Sequence, residues 1–117
     1  CHVYDMPAVH TRGIDPIIEE ISQHLSAQGI HKIGMSIDID ALDPSIASAV
    51  TVPEDDGLLL SQVTALIAQL GEDFQVIGAD LVEYCPDRDQ GEQSLRCIQN
   101  IFNEIVRVML SGKKIQF

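Results

Sequence analysis

Two short apolar segments with a helical pattern between them constrain the fold of this chain more than any other feature. The segments are "IHKIGMSIDI" at residues 30–39 and "FQVIGADLVEY" at 74–84, and each is typical of a strand buried on both faces of a parallel sheet. Between them, apolar residues recur at helical spacing over 58–70, with Gly71 as the predicted C-cap and Pro86 closing the second strand. Parallel strands need such a crossover helix, so this order predicts an α/β fold with helices on both faces of the sheet.

Two segments nearer the start of the sequence extend this pattern. Residues 15–28 predict a helix with Asp15 as its N-cap, ended by Gly29. The preceding "CHVYDM" at 1–6 is typical of a strand. The helix and this strand continue the alternation expected of a layered α/β domain.

A final helix is predicted over residues 90–110, ending at Gly112. The apolar residues of its predicted buried face are Leu95, Ile98, Ile101, Phe102, Ile105, Val108 and Met109. With one alternating series of elements and no internal repeat, residues 1–117 are expected to belong to a single domain.

Charge and cysteine content exclude several classes of partner and site. The net charge of −11 repels phosphates, so neither a nucleic acid nor an anionic membrane is an expected partner. Cys1, Cys85 and Cys97 lack C-x-x-C spacing, which argues against a disulfide framework or a thiolate zinc site. The chain also lacks an apolar run long enough to span a membrane, and we predict a cytoplasmic protein.

Three aspartates follow the first apolar strand, in "SIDIDALDP". As far as strand geometry persists, alternation places Ser36, Asp38 and Asp40 on one face. Side chains at i and i+2 are about 6.5 Å apart, where two ionised carboxylates repel by about 2.5 kcal/mol at an effective dielectric of 20. A protonated carboxyl, access to water or a bound cation would each relieve this repulsion, and the density of aspartates favours the cation.

The second strand also has acidic residues towards its carboxyl end. Glu83 lies near that end, where ligands of open α/β sheets gather. Asp80 lies inside the apolar run and needs a partner if it is buried, which suggests that it supports the metal ligands.

An aspartate-rich strand end raises three alternatives to this kind of metal site. An EF-hand loop is excluded, because Asp43 and Ala49 stand where that loop needs glycine and glutamate. A haloacid-dehalogenase-like phosphotransferase would use Asp38 as its nucleophile, although Leu42 departs from its usual pattern. A non-catalytic assembly domain, using the apolar helix faces for subunit contacts, is the third alternative.

"SIDIDALDP" resembles the S-x-D-x-D-x-x-D-P signature of the ureohydrolases, the arginase, agmatinase and formimidoylglutamase family. "GADLVEYCPDRD" and "DMPAVHTRGID" resemble further segments of that family, and the likeness covers nearly all 117 residues as the C-terminal part of a member. It implies a three-layer α/β/α fold with a mainly parallel sheet. It also implies a pair of manganese ions, with Asp38 and Asp40 as catalytic ligands, Glu83 binding the substrate's guanidinium group, and Asp43 and Pro44 ending the motif.

The resemblance implies hydrolysis of a guanidino or formimino substrate by a hydroxide held between the two ions. It also implies a homo-oligomer when the protein is complete. The family's upstream G-G-D-H and D-A-H-x-D-x-H segments do not occur in this sequence, so we expect an incomplete, inactive site. The loop "SIASAVTVPEDDGLLL" departs from the family's usual A-P-G-x-G-T-P, which leaves the substrate open. The histidines lack the family context and are expected to be ordinary: His2, His10, His24 and His31.

Overall fold

A computed structural model describes residues 1–111, in which helices and two parallel strands alternate. The helices are α1 (Met6–Arg12), α2 (Ile14–Ala27), α3 (Leu60–Asp73) and α4 (Gln93–Ser111), and the strands are β1 (Lys32–Asp38) and β2 (Gln75–Val82). Two short 3₁₀ helices, Ile39–Ala41 and Pro86–Arg88, follow the strands. The predicted α/β class, with a parallel sheet flanked by helices, is confirmed.

The strands pair in parallel from Lys32 opposite Gln75 to Asp38 opposite Val82. A β-bulge near Ile33 leaves Ile77 as the extra residue of β2. The bulge shifts the register by one position, so the pairing beyond it differs from that of a regular ladder. This shifted register sets which residues of the two strands stand side by side at their carboxyl ends.

Burial of the strands on both faces, as predicted, is wrong for the described part of the chain. In β1 the half-buried residues Ile33, Met35 and Ile37 pack on the hydrophobic core. They alternate with exposed residues, Gly34 and Ser36 among them. The reason is tertiary: the core lies on one face of the sheet, and within residues 1–111 the other face of β1 is open.

The core is aliphatic and lies where α3 and α4 pack together on the sheet. Ile39, Ile67 and Ile101 are among its fully buried side chains. At Gly71 a Cβ atom would lie 2.5 Å from the Val108 side chain, so only glycine permits this approach of the two helices. Gly71 therefore serves packing inside α3, which continues to Asp73, and its prediction as a C-cap is wrong.

The start of the chain also differs from prediction. Residues 1–5 form no strand, and Asp5 instead caps α1 by accepting the Ala8 N–H at 2.9 Å. Helix α2 has Gly13 as its N-cap at φ 78°, so Asp15 lies in the first turn. The predicted strand at 1–6 is wrong, because apolar and polar residues also alternate in this short turn-and-cap sequence.

Helix α4 presents a slightly different face from the one predicted. Phe102 and Met109 are exposed, whereas Ser94 and Cys97 are buried with Ile101. The predicted end at Gly112 lies outside the described residues.

The segment before α4 also departs from prediction, because β2 ends at Val82 and Pro86 opens a 3₁₀ helix. No helix of residues 1–111 is long and apolar enough to cross a membrane.

Candidate functional site

Asp38 and Asp40 lie at the carboxyl end of β1, but a turn rather than the strand sets their relation. Asp38 is the last strand residue, and its Oδ1 accepts the Asp40 N–H at 2.9 Å. This bond caps the 3₁₀ helix that begins at Ile39, whose side chain is fully buried. Strand alternation therefore ends at Asp38, and the predicted shared face does not extend to Asp40.

Asp40 has the one unsatisfied buried polar side-chain atom found within residues 1–111. Its Oδ1 is buried and has no hydrogen-bond partner. A buried carboxylate oxygen without a partner costs free energy, and a bound cation would remove that cost. One oxygen of Asp38 is occupied by the Asp40 amide, which leaves the other available. Carboxylate oxygens of this kind suit a hard divalent cation such as Mn²⁺ or Mg²⁺.

The two aspartates make only part of a ligand set. Within the described part of the chain, no group of three or more His, Cys, Asp or Glu residues is placed to hold a metal ion. A metal bound at Asp38 and Asp40 would therefore need ligands from outside residues 1–111. The residues present fit such an ion as two of its ligands.

Ser36 and Asp80 join the two strands just before the site. The bulge places them opposite each other, and the Ser36 Oγ donates to Asp80 Oδ1 at 2.6 Å. Asp80 is exposed on the open side of the sheet, although it lies within an apolar run of the sequence. The pair lies two residues from Asp38 along β1, where it can fix the strand ends that carry the acidic residues.

Asp43 shapes the turn that follows the two aspartates. Its Oδ1 accepts the Ser45 N–H at 2.9 Å, and its own N–H donates to the Leu58 carbonyl at 2.9 Å. Hydrogen bonds from Ser45 lower the pKa of the Asp43 carboxyl. Asp43 thus holds the start of the following loop against the loop's end.

Glu83 follows β2 directly and has an unusual backbone. Its φ is 70°, in the left-handed region that non-glycine residues rarely adopt. The preceding residue, Val82, pairs with Asp38 across the sheet, so the strand ends bring Glu83 and Asp38 to the same edge. Backbone strain of this kind costs about 1–3 kcal/mol and is concentrated at functional sites.

Three residues beyond Glu83 connect the site to the rest of the fold, and the sequence reasoning missed them. Asp89 accepts the N–H groups of Ser94 and Leu95, each at 2.9 Å, and the Tyr84 hydroxyl at 2.8 Å. The fully buried Ser94 accepts the Ala49 N–H through its Oγ at 3.0 Å. Arg88 donates hydrogen bonds to the carbonyl oxygens of Val50 and Thr51, which follow Ala49 in the chain. The available signal was an acidic residue just before a helical pattern, which indicates an N-cap. This signal could have identified Asp89, but neither Ser94 nor Arg88.

Replacing Asp89 by asparagine is expected to make stability less dependent on pH. Burial acts to raise the pKa of Asp89, but hydrogen bonds from Tyr84, Ser94 and Leu95 outweigh it and the pKa is lowered. A lowered pKa stabilises the fold above the unfolded value of about 3.9, and this contribution is lost as pH falls through the folded value. Urea unfolding should therefore show Asp89→Asn less stable than the parent at pH 7, with the difference shrinking towards pH 3.

The exposed Asp87 provides a matched control for this measurement. Asp87→Asn removes the same charge two residues away and should track the parent at every pH. A stability difference for Asp89→Asn that stays constant from pH 7 to pH 3 would contradict the assigned role of the carboxylate.

A groove of about 810 Å³ lies between α2 and α3, and residues of these two helices line it. Its acidic walls include Asp15, Glu19, Glu72 and Asp73. None of the predicted site residues lines it. The chemistry at the strand ends, rather than the size of this groove, marks the candidate site.

Comparison with known proteins identifies the family of this chain. The pattern of the arginase family matches residues 1–107. This chain belongs to the arginase family. The resemblance predicted from "SIDIDALDP" is thereby confirmed, and the haloacid-dehalogenase alternative is not favoured.

Individual relatives give the extent of the likeness. The arginase-family chain is 32% identical over 112 residues to an agmatinase of Chromobacterium violaceum, covering 96% of this chain and 34% of the agmatinase. Its fold matches the proclavaminate amidino hydrolase of Streptomyces clavuligerus with a TM-score of 0.86 at 25% identity, covering 96% of this chain and 36% of that one. The formimidoylglutamase of Bacillus subtilis shares the fold, with a TM-score of 0.85 at 22% identity over 95% of this chain and 34% of that one. The chain spans about a third of the length of this agmatinase and of an agmatinase from Enterobacter sp..

Proposed function

We propose that this arginase-family chain contributes part of the active site of a manganese-dependent hydrolase that cleaves C–N bonds in linear amidines. The observation that carries the proposal is the buried, unpartnered Oδ1 of Asp40 beside Asp38 at the carboxyl end of the sheet. Membership of the arginase family and likeness to agmatinases support the reaction class.

Asp38 and Asp40 would hold the metal through carboxylate oxygens. When bound, a pair of divalent ions lowers the pKa of water and stabilises negative charge on the reacting group. The protein's own contribution is orientation. The Asp40 N–H fixes the Asp38 carboxylate, and burial of Ile39 fixes the turn between the two aspartates.

Glu83 would bind the planar cation of the substrate. A carboxylate facing a guanidinium group accepts charge-assisted hydrogen bonds, which hold the reacting carbon in one plane. Water then adds to the planar carbon, and the bond from this carbon to the alkyl nitrogen breaks; the water oxygen stays in the product carbonyl and its two protons end on the departing amine. A guanidinium substrate yields urea and an alkylammonium ion, with atoms and charge conserved. The bond between Ser36 and Asp80 would keep the two strand ends in register during this reaction.

The relatives support a guanidino compound as substrate, and a formimino compound belongs to the same reaction class. We infer that residues 1–117 form the C-terminal part of a single domain whose further ligands come from other residues. Inactivity of these residues alone, assembly of the complete protein into a homo-oligomer and a cytoplasmic location all stay predictions.

Replacing Glu83 by glutamine is expected to lower kcat/KM for a guanidino substrate about 100-fold, because the guanidinium group loses a charged hydrogen-bond acceptor. The assay uses the longest polypeptide that the gene encodes, loaded with Mn²⁺, and measures urea released from agmatine and arginine. A parallel assay measures hydrolysis of formiminoglutamate.

Glu92→Gln is the matched control, because Glu92 is also an exposed glutamate with a positive φ, of 60°. It should retain the parent's activity. A manganese-loaded parent that hydrolyses none of the three substrates would contradict the proposed function. Equal losses in the two variants would contradict the role of Glu83.

A further inference from the structure

Residues 43–57 form a loop whose two ends meet beside the candidate site. The Asp43 N–H donates to the Leu58 carbonyl at 2.9 Å, and the Leu58 N–H donates to the Ala41 carbonyl at 2.8 Å. Ala41 ends the 3₁₀ turn that contains Asp40. The base of loop 43–57 is therefore continuous with the two aspartates.

The middle of loop 43–57 is held by the segment that follows Glu83. The Cys85 N–H donates to the Ala49 carbonyl at 2.7 Å, and Gln93 Nε2 donates to the Ser45 carbonyl at 2.7 Å. These bonds, together with the Ser94 bond to Ala49, join the loop to the part of the chain after β2. The loop thus bridges the two acidic strand ends.

Arg88 provides the outermost of these attachments. Its Nη1 donates to the carbonyl oxygens of both Val50 and Thr51, at 3.0 Å each. Val50 is 1% exposed, whereas residues 51–56 are all exposed. Arg88 therefore binds the loop at the point where it leaves the core. One cationic group satisfies two consecutive carbonyls there, and hydrogen bonds from a charged donor are stronger than neutral ones.

We propose that Arg88 is a positioning residue that holds loop 43–57 against the strand end carrying Glu83 and so sets the width of the substrate opening. The role rests on the proposed function, because the opening matters only if a substrate enters between the loop and Glu83. Release of the Val50 and Thr51 carbonyls frees the exposed part of the loop while its base stays closed at Leu58. Substrate affinity then falls more than the rate of the chemical step.

Cys85 provides a direct readout of this attachment. Its Sγ lies 3.3 Å from the Thr51 Oγ1, so the loop contacts the half-buried thiol and covers part of it. Labelling of Cys85 by N-ethylmaleimide is followed in the 117-residue chain carrying Cys1→Ser. The remaining thiol, Cys97, is 5% exposed. Mass spectrometry of the digested protein assigns the label.

Arg88→Met removes the donors and keeps much of the side-chain length, and is expected to raise the Cys85 labelling rate about tenfold. Arg88→Lys keeps the charge and should give an intermediate rate. Arg107→Met removes the same charge from an exposed arginine that pairs with Glu104 on α4, and this variant should label at the parent's rate. Circular dichroism reports whether each variant is folded.

Labelling of Arg88→Met and Arg88→Lys at the parent's rate would overturn the proposal. In the manganese-loaded, longest polypeptide, Arg88→Met should raise KM for a guanidino substrate at least fivefold with kcat within twofold, as expected for lost binding. An unchanged KM in an active enzyme would overturn it as well. If the parent lacks activity, the proposed function fails, while the labelling rates still decide whether Arg88 holds the loop.

Discussion

Replacing Asp40 by asparagine is expected to weaken Mn²⁺ binding at least about 100-fold in the longest polypeptide that the gene encodes. The variant removes the negative charge and one ligating oxygen. Groups that merely orient a ligand contribute about 10- to 100-fold to metal affinity, so a direct ligand should contribute at least as much. Competition with a fluorescent chelator measures the change.

The buried Oδ1 of Asp40 also predicts an effect on stability in the absence of metal. Because that oxygen has no hydrogen-bond partner, the carboxylate is held at a cost that a neutral amide lowers. Asp40→Asn should therefore be at least as stable as the metal-free parent while binding metal more weakly. Asp38→Asn should weaken binding too, with little change in stability, because the amide oxygen can still accept the Asp40 N–H that caps the 3₁₀ turn.

Asp55→Asn is the control for this comparison, since Asp55 is an exposed acid in loop 43–57 and carries the same charge. Its Mn²⁺ affinity should stay within about twofold of the parent's, the change expected from weak long-range electrostatics. Equal affinities in Asp40→Asn, Asp55→Asn and the parent would contradict the assignment of Asp40 as a ligand.

Replacing Gly57 by alanine is expected to destabilise the fold by about 3 kcal/mol, the upper part of the range for overpacking. A Cβ atom there would lie 2.7 Å from the Asp43 nitrogen, 2.7 Å from the Leu42 carbonyl carbon and 2.8 Å from the Ala41 oxygen. All three are backbone atoms, which cannot move aside as a side chain can. The loop base would have to open, and the turn after Asp40 would be displaced with it.

Gly78→Ala is the matched control, because a Cβ atom at Gly78 meets nothing within 4 Å. Urea unfolding monitored by circular dichroism gives the free energy of unfolding for each variant. A Gly57→Ala variant as stable as the Gly78→Ala variant would show that the backbone contact between Gly57 and residues 41–43 is not required.

The periodicity of apolar residues predicted both strands and the three longer helices because those patterns follow from each element's own geometry. What it could not predict depends on neighbours. Gly71 was mistaken for a cap because its role is contact with Val108, far along the sequence. The apolar run around Asp80 did not reveal its exposure, which follows from a bulge and an open face of the sheet.

The candidate site divides in the same way. Asp38, Asp40 and Glu83 could be located from motif spacing, since the carboxyl ends of parallel strands converge on one edge of a sheet. The attachment of loop 43–57 by Arg88 could not be predicted from the sequence. Arg88 binds backbone carbonyls, which every residue has, so residues 50 and 51 carry no sequence signal of this contact. Strand alternation also failed to predict how Asp38 and Asp40 are arranged, because the strand ends at Asp38 and its carboxylate caps a turn.

The most direct test of the account is a titration with Mn²⁺ of the longest polypeptide that the gene encodes, labelled with ¹⁵N and followed by amide NMR signals. The paramagnetic ion broadens signals of nearby amides, so the first residues to lose intensity identify the preferred site. We expect those to be residues 38–41 and 82–84, at the carboxyl ends of the two strands. Broadening that begins instead at the acidic groove between α2 and α3, around Asp15, Glu19, Glu72 and Asp73, would contradict the placement of the metal site.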